Sequence, residues 1–221
     1  MRPPSSSSEA FDRGMTVRRE VLGDEHVDRA VARTTPFTEP FQDFITRTAW
    51  GDVWARPGLD RFSFCGLSLG GMVGMWLAAN VPERVERLVL ACSAPFLPPA
   101  EQWLERAATV RAHGVEAVAD AVVARWFTER FPDPEPWRRH LVATPAEGYS
   151  RACEALAGMD LRGDLARIGA PTTVVLGAHD PVVSAESRRL LEALGPVVTL
   201  DAGHLANVEQ PDAFSDTVLA A

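Results

Sequence analysis

The spacing of apolar residues changes character near residue 60 of the chain. Up to that point apolar positions recur at helical period, whereas from Arg61 onward they alternate in short runs. The runs RFSFC, VERLVLACS, PTTVVLGAHD and PVVTLDAGH have the length and composition of β-strands. Helix-length sequence separates them, and this alternation predicts an α/β fold built on a parallel sheet.

The first 60 residues contain only helical patterns. Asp24 is suited to cap a short helix, and Pro36 separates that helix from an aromatic-rich one in the stretch FTEPFQDFITRTAWGDVW. We therefore expect residues 9–60 to form a short all-α segment. Residues 1–8, which are rich in proline and serine, are expected to form a disordered tail.

A long helical excursion is predicted between the second and third strands, at about residues 99–168. Apolar residues from Val115 to Phe127 recur at helical spacing there, and no strand pattern interrupts them. Parallel sheets bind ligands at the carboxyl ends of their strands. We expect this excursion to form a helical cap over such a site.

Composition and charge argue against nucleic-acid-binding, membrane-spanning and secreted proteins. The net charge of −8 argues against nucleic-acid binding, and no apolar run is long enough to cross a bilayer. The N terminus lacks the apolar core of a secretory signal. Cys65 and Cys92 lie in strand-like runs, where we expect buried free thiols, and this usage suits the cytoplasm.

A nucleophile motif lies at the end of the first predicted strand. Ser68 occupies the third position of a G-x-S-x-G pattern, between that strand and an apolar helix. We expect a strained turn that exposes the Ser68 hydroxyl, with Gly66 and Gly70 kept small so that turn and helix do not collide. The amide of Leu69, at the helix start, would face a developing oxyanion.

Two further residues complete a serine-hydrolase set in the order acid before histidine. Asp180 and His204 each follow a predicted strand. His204 would accept the Ser68 proton through Nε2, while Asp180 would hold the imidazole tautomer. Taken singly, Asp180 could instead be a turn former and His204 a surface histidine. The neighbouring His179 is expected to be a pocket or surface residue.

The other histidines give no metal-binding pattern. His26, His113 and His140 lie in helical stretches without acidic or thiol partners at ligand spacing. We therefore predict no metal site and no other cofactor.

From residue 61 onward the sequence resembles the 3-oxoadipate enol-lactonases, a group of α/β-hydrolases. The resemblance rests on RFSFCGLSLGGMVGMWLA, RWFTERF, ATPAEGYSRACEAL, DLRGDLARIGAPTTVVLGAHDPV and DAGHLANVEQPDAF. It implies hydrolysis of a five-membered enol-lactone to 3-oxoadipate, with Ser68, Asp180 and His204 in the catalytic roles. Arg125 and Trp126 are candidates to hold the substrate's free carboxylate and ring; the alternative is a surface arginine and a core tryptophan.

Residues 9–60 resemble the opening of 4-carboxymuconolactone decarboxylase instead. The resemblance ends before that family's active-site helices, so we carry over none of its functional residues. The hydrolase part begins at its nucleophile strand, which implies a partial hydrolase fold without the family's first strands and without the loop that supplies a second oxyanion donor. The nucleophile strand would then be a sheet edge on which a second copy could pair.

Three interpretations remain open at this stage. The first is a carboxylic-ester hydrolase of enol-lactonase type that acts on a small lactone or ester and is impaired by the missing strands. The second is a non-catalytic hybrid of decarboxylase and lactonase fragments. The third keeps the hydrolase fold but takes a simple ester or a peracid, because a triad does not specify its substrate.

Overall fold

The computed structural model describes residues 6–32, 34, 46–47 and 61–221 of the chain. The chain divides into two compact units, residues 1–60 and 61–221. The aromatic-rich helix predicted in FTEPFQDFITRTAWGDVW falls almost entirely outside the described residues.

Two helices are described in the first unit: α1 (Ser6–Leu22) and α2 (Asp24–Ala32). Arg19 of α1 ties the two helices together, since its guanidinium bonds Asp24 at 3.0 Å and Asp28 at 2.7 Å. Residues 6–8 were expected to belong to a disordered tail and instead form the first turn of α1. Glu9 in the first turn favours a helix start at this point.

The second unit is built on four parallel strands in the order β1-β2-β3-β4. They are β1 (Phe62–Leu67), β2 (Val85–Ala91), β3 (Thr172–Gly177) and β4 (Val197–Leu200). All four coincide with the predicted strands, and the α/β fold is confirmed.

Helices fill the connections between the strands, and two more follow β4. They are α3 (Leu69–Asn80), α4 (Ala100–His113), α5 (Glu116–Val123), α6 (Glu135–Val142), α7 (Ala146–Gly158), α8 (Ala185–Glu192), α9 (Ala206–Glu209) and α10 (Pro211–Ala220). A 3-10 turn (Leu165–Arg167) precedes β3. Among the described residues, no helix is both long and apolar enough to cross a membrane.

The two central strands, β2 and β3, are packed on both faces because they are apolar at successive positions. On one face Leu88, Leu90 and Val174 pack against Met72 and Met75 of α3. On the other face a second apolar cluster is made by the alternate strand positions and the C-terminal helix; it includes Val89, Val175, Leu200, Phe214 and Val218.

Cys65 was expected to be buried, and this prediction is wrong. Cys92 and Cys153 are buried, whereas Cys65 is exposed. Its strand, β1, lies at one edge of the described sheet, and α10 packs against β4 at the opposite edge. The apolar residues around Cys65 do not indicate from the sequence alone that β1 lies at the edge of the described sheet.

Four helices form the predicted cap between β2 and β3. The longest two, α4 and α7, pack side by side, and Arg111 of α4 bonds Glu147 at 2.9 Å. Side chains from several of these helices form a separate apolar cluster, which includes Val110, Val115, Ala119, Val122 and Leu141. The cap therefore has a small core of its own.

The central strands should dominate the stability of the second unit. Leu90 is fully buried, so Leu90→Ala should lower the free energy of unfolding by about 2–5 kcal/mol. The matched control, Leu219→Ala, removes a side chain that is 84% exposed and should change it by less than about 0.5 kcal/mol. Urea unfolding followed by circular dichroism measures both; an equal loss for the two variants would contradict this packing.

Candidate active site

Ser68 occupies the sharp turn between β1 and α3, as predicted. Its φ is +54°, a left-handed conformation that costs a non-glycine residue roughly 1–3 kcal/mol. Backbone bonds hold the turn: the Ser68 amide donates to the Ala91 carbonyl at 2.9 Å, and the Ser68 carbonyl accepts from Gly71 at 2.9 Å. The Ser93 hydroxyl donates to the same carbonyl at 2.8 Å.

Two glycines permit this close approach, but they are not quite the expected pair. A Cβ on Gly66 would lie 2.2 Å from the Gly70 carbonyl oxygen, and one on Gly71 would lie 2.5 Å from the Ser93 side chain. A Cβ on Gly70 would meet no described residue within 4 Å. The prediction for Gly66 is therefore correct, whereas the steric demand expected at Gly70 falls on Gly71.

The structure brings Asp180 and His204 together with Ser68. His204 Nδ1 lies 2.9 Å from Asp180 Oδ2, and His204 Nε2 lies 2.9 Å from the Ser68 hydroxyl oxygen. A carboxylate can only accept, so Nδ1 carries the proton and Nε2 accepts from the serine hydroxyl. This arrangement is the one that activates a serine for attack on an acyl carbon.

The Asp180 carboxylate, at the end of this chain of hydrogen bonds, is buried away from solvent. The Asp180 side chain has no exposed surface and that of His204 is 6% exposed. The second Asp180 oxygen accepts from the Val182 amide at 2.8 Å. The Arg188 guanidinium donates to the Asp180 carbonyl at 3.3 Å and to the Gly177 carbonyl at 3.1 Å, which fixes the loop after β3.

His179, adjacent to Asp180, lies on the surface and not in the chain of hydrogen bonds. Its Nε2 is 2.8 Å from Asp201 Oδ1, and Arg130 donates to the same oxygen at 2.6 Å. The Arg130 guanidinium and then His179 lower the pKa of the Asp201 carboxyl. The three side chains form an exposed, hydrogen-bonded cluster outside the site.

A cavity of about 280 Å³ opens above the serine. Ser68 and His204 line it, and Arg125 and Trp126 line it from the turn that follows α5. The amide of Leu69 is the first in α3, so it has no carbonyl partner within its own helix. Four of the six residues named as site candidates from the sequence therefore line one cavity. Of the other two, Leu69 follows Ser68 in the chain, and Asp180 is buried behind His204.

Sequence reasoning missed a glutamate that fixes the loop carrying His204. Glu209 Oε2 accepts from the Gly203 amide at 2.7 Å. Its Oε1 accepts from the Thr128 amide at 3.0 Å and from the Thr128 hydroxyl. Glu209 thereby ties the histidine loop to the cap, and only the fold brings Thr128 to a residue 81 positions away.

The sequence profile of the alpha/beta hydrolase family matches residues 9–217. The chain belongs to the alpha/beta hydrolase family. This hydrolase is 40% identical over 170 residues to 3-oxoadipate enol-lactonase 2 of Acinetobacter baylyi, an alignment covering 73% of this chain and 64% of the relative. It thus spans less than two thirds of that relative's length.

Two further comparisons concern a solved structure and a second family of relatives. The crystal structure of the enol-lactonase from Burkholderia xenovorans LB400 superposes with a TM-score of 0.71 at 38% identity, over 77% of this hydrolase and 70% of that chain. A segment of 56 residues is 46% identical to 4-carboxymuconolactone decarboxylase of Acinetobacter baylyi, covering 25% of this chain and 42% of the relative. Both predicted resemblances are confirmed.

The turn at Ser68 provides a test of its packing. Gly66→Ala should lower the free energy of unfolding by about 1–3 kcal/mol, because its methyl group would overlap the Gly70 backbone. Gly70→Ala should leave stability unchanged or raise it by up to about 1 kcal/mol, since alanine favours helix. Thermal unfolding of the pair measures the difference; equal stabilities would contradict the close approach at Gly66.

The hydrogen bonds that Glu209 accepts from Gly203 and Thr128 provide a second test. Glu209→Gln should lower the free energy of unfolding by about 1–3 kcal/mol, because a neutral amide replaces a charged group that accepts three hydrogen bonds. The control Glu192→Gln changes an exposed residue of α8 and should have no measurable effect. Urea titration compares the two variants, and an unchanged midpoint for Glu209→Gln would argue against these hydrogen bonds.

Proposed function

We propose that this hydrolase is a carboxylic-ester hydrolase of enol-lactonase type, which opens an enol-lactone to 3-oxoadipate in the degradation of aromatic compounds. The observation that carries the proposal is the chain of hydrogen bonds from the Ser68 hydroxyl through His204 to the buried carboxylate of Asp180. The similarity to enol-lactonases supports the substrate class.

The geometry supports an acyl-enzyme route. The Ser68 oxygen attacks the lactone carbonyl while His204 Nε2 takes the hydroxyl proton, and Asp180 stabilises the imidazolium that forms. The Leu69 amide donates to the oxyanion. The ring C–O bond then breaks, and His204 returns the proton to the leaving enol oxygen, which tautomerises to a ketone.

Hydrolysis of the acyl-enzyme completes the cycle. A water gives a proton to His204 Nε2 and attacks the Ser68 ester carbonyl, after which the C–O bond to Ser68 breaks and the proton returns to the serine oxygen. One water is consumed and one new carboxylic acid is formed, which releases its proton to solvent at neutral pH. In this proposal Arg125 and Trp126 hold the substrate's free carboxylate and its ring at the cap side of the cavity.

The nucleophile is tested with p-nitrophenyl acetate and with an enol-lactone. Ser68→Ala should lower kcat by at least about 10³-fold, because the other triad members cannot replace the nucleophile. Ser63→Ala, on an exposed position of β1, is the control and should retain activity. Faster opening of the enol-lactone than of the simple ester would support the lactonase class.

Covalent labelling adds an independent measurement. A fluorophosphonate reagent should modify the unaltered protein at Ser68, as seen by mass spectrometry of its peptides, and should leave Ser68→Ala unmodified. Activity that survives Ser68→Ala would overturn the assignment of the nucleophile. A stably folded protein that neither hydrolyses nor reacts would support the non-catalytic hybrid.

A further inference from the structure

Two turns at the ends of neighbouring strands share an unusual backbone conformation. Ser68, after β1, has a φ of +54°, and Cys92, directly after β2, has a φ of +43°. These are the non-glycine residues of the described chain that have a left-handed backbone. Such strained conformations are concentrated at functional sites. The turn at Ser68 carries the proposed nucleophile, which leaves the turn at Cys92 to be explained.

The residue that follows Cys92 joins the two turns. Ser93 is 2% exposed, and its hydroxyl donates to the Ser68 carbonyl at 2.8 Å. The same carbonyl accepts from the amides of Gly71 at 2.9 Å and Met72 at 3.2 Å. Those two amides belong to α3 itself, whereas Ser93 connects the carbonyl to the end of a central strand. The turn at Cys92 thus places a buried hydrogen-bond donor against the backbone of the nucleophile.

The Ser68 carbonyl and the Leu69 amide are the two ends of one peptide unit. This unit is planar and trans. In a trans peptide the C=O and N–H bonds point in opposite directions, so the position of the carbonyl oxygen fixes the direction of the amide hydrogen. The hydrogen bond from Ser93 to that oxygen therefore sets the direction in which the Leu69 N–H points.

The same hydrogen bond strengthens the Leu69 amide as a donor. A hydrogen bond accepted by a carbonyl oxygen polarises the whole peptide unit and makes its N–H a better donor. The Leu69 amide is the first of α3 and has no carbonyl partner within that helix, so it can donate to an oxyanion on the serine adduct. Burial of Ser93 increases the polarisation, because little solvent competes for its hydroxyl.

We propose that Ser93 is a positioning residue for the oxyanion: its buried hydroxyl orients and polarises the Ser68–Leu69 peptide, so that the Leu69 N–H meets the negative charge that develops on the substrate. The inference rests on the proposed function and deepens it, because it adds a residue that acts on the transition state without touching the substrate. Ser93 is not among the described residues that line the cavity. Its hydroxyl should therefore affect kcat, while KM stays nearly constant.

Kinetics with an ester and its thionoester tests this role. The charge develops on oxygen in p-nitrophenyl acetate, whereas in the thionoester it develops on sulfur, which is a weaker hydrogen-bond acceptor. Ser93→Ala should lower kcat for the oxygen ester by about tenfold, which is part of the effect of losing an oxyanion donor outright, and for the thionoester by no more than about twofold. Ser93→Thr keeps a hydroxyl and should recover most of the loss.

Ser150→Ala is the matched control. The Ser150 hydroxyl is also buried and also donates to a backbone carbonyl, that of Ala107 at 3.0 Å, but it joins two helices of the cap, α7 and α4. Its removal deletes a hydrogen bond of the same kind and should leave the ratio of the two ester rates unchanged. Equal losses for both esters in Ser93→Ala, or the same change of ratio in Ser150→Ala, would overturn the positioning role.

Nuclear magnetic resonance measures the same contact without turnover. In protein labelled with ¹⁵N-leucine, the Leu69 amide resonance is assigned by its disappearance in Leu69→Met. Ser93→Ala should move the resonance of the amide proton to lower frequency, because a less polarised N–H is a weaker donor. Ser93→Thr should keep it near its original position, and Ser150→Ala should not move it.

The outcomes distinguish this inference from the proposed function. Failure of the folded protein to hydrolyse either ester, with a Leu69 resonance that responds to Ser93→Ala, would overturn the proposed function and support the orientation of the peptide by Ser93. Hydrolysis of the esters with a rate ratio and a Leu69 resonance that Ser93→Ala leaves intact would overturn the role of Ser93 and support the hydrolase. If Ser93→Thr does not fold, as judged by circular dichroism, the comparison of Ser93→Ala with Ser150→Ala decides alone.

Discussion

The left-handed backbone at Ser68 is the constraint on which the site depends. The turn brings α3 so close to β1 and to the end of β2 that a Cβ on Gly66 or Gly71 would overlap its neighbours. Buried methionines of α3 and buried leucines of β2 hold that approach, so apolar packing compensates for the strain. The same packing aims the serine oxygen at His204 and places the Leu69 amide beside it.

The buried carboxylate of Asp180 is a second constraint on the site, because a buried charge needs hydrogen-bond partners. Asp180 has no exposed side-chain surface, and an unpaired buried charge would be strongly destabilising. It is satisfied by His204 and by the Val182 amide, and Arg188 fixes its loop from behind. The hydrogen bond that orients the His204 imidazole therefore also offsets the cost of burying the Asp180 carboxylate. The same interaction contributes to the stability of the fold and to the geometry of the site.

Local signals explain why much of this arrangement could be predicted from the sequence. The four strands, the turn at Ser68 and the positions of Asp180 and His204 each follow from short patterns in fixed order. What could not be predicted depends on distant packing. Gly71 is constrained by Ser93, which belongs to another strand's end, and Cys65 is exposed because of the place of β1 in the sheet.

Glu209 shows the same limit. It lies in no motif, and it holds the loop of His204 only because the fold brings Thr128 near. The net charge of the chain differs from the local charge at the cavity wall. The chain carries a net charge of −8, and most cap arginines are neutralised by neighbouring carboxylates. The wall of the Ser68 cavity differs, because two arginines line it and no aspartate or glutamate of the described chain does. The net charge of a chain therefore does not fix the charge of a cavity wall, which depends on the side chains that the fold brings there.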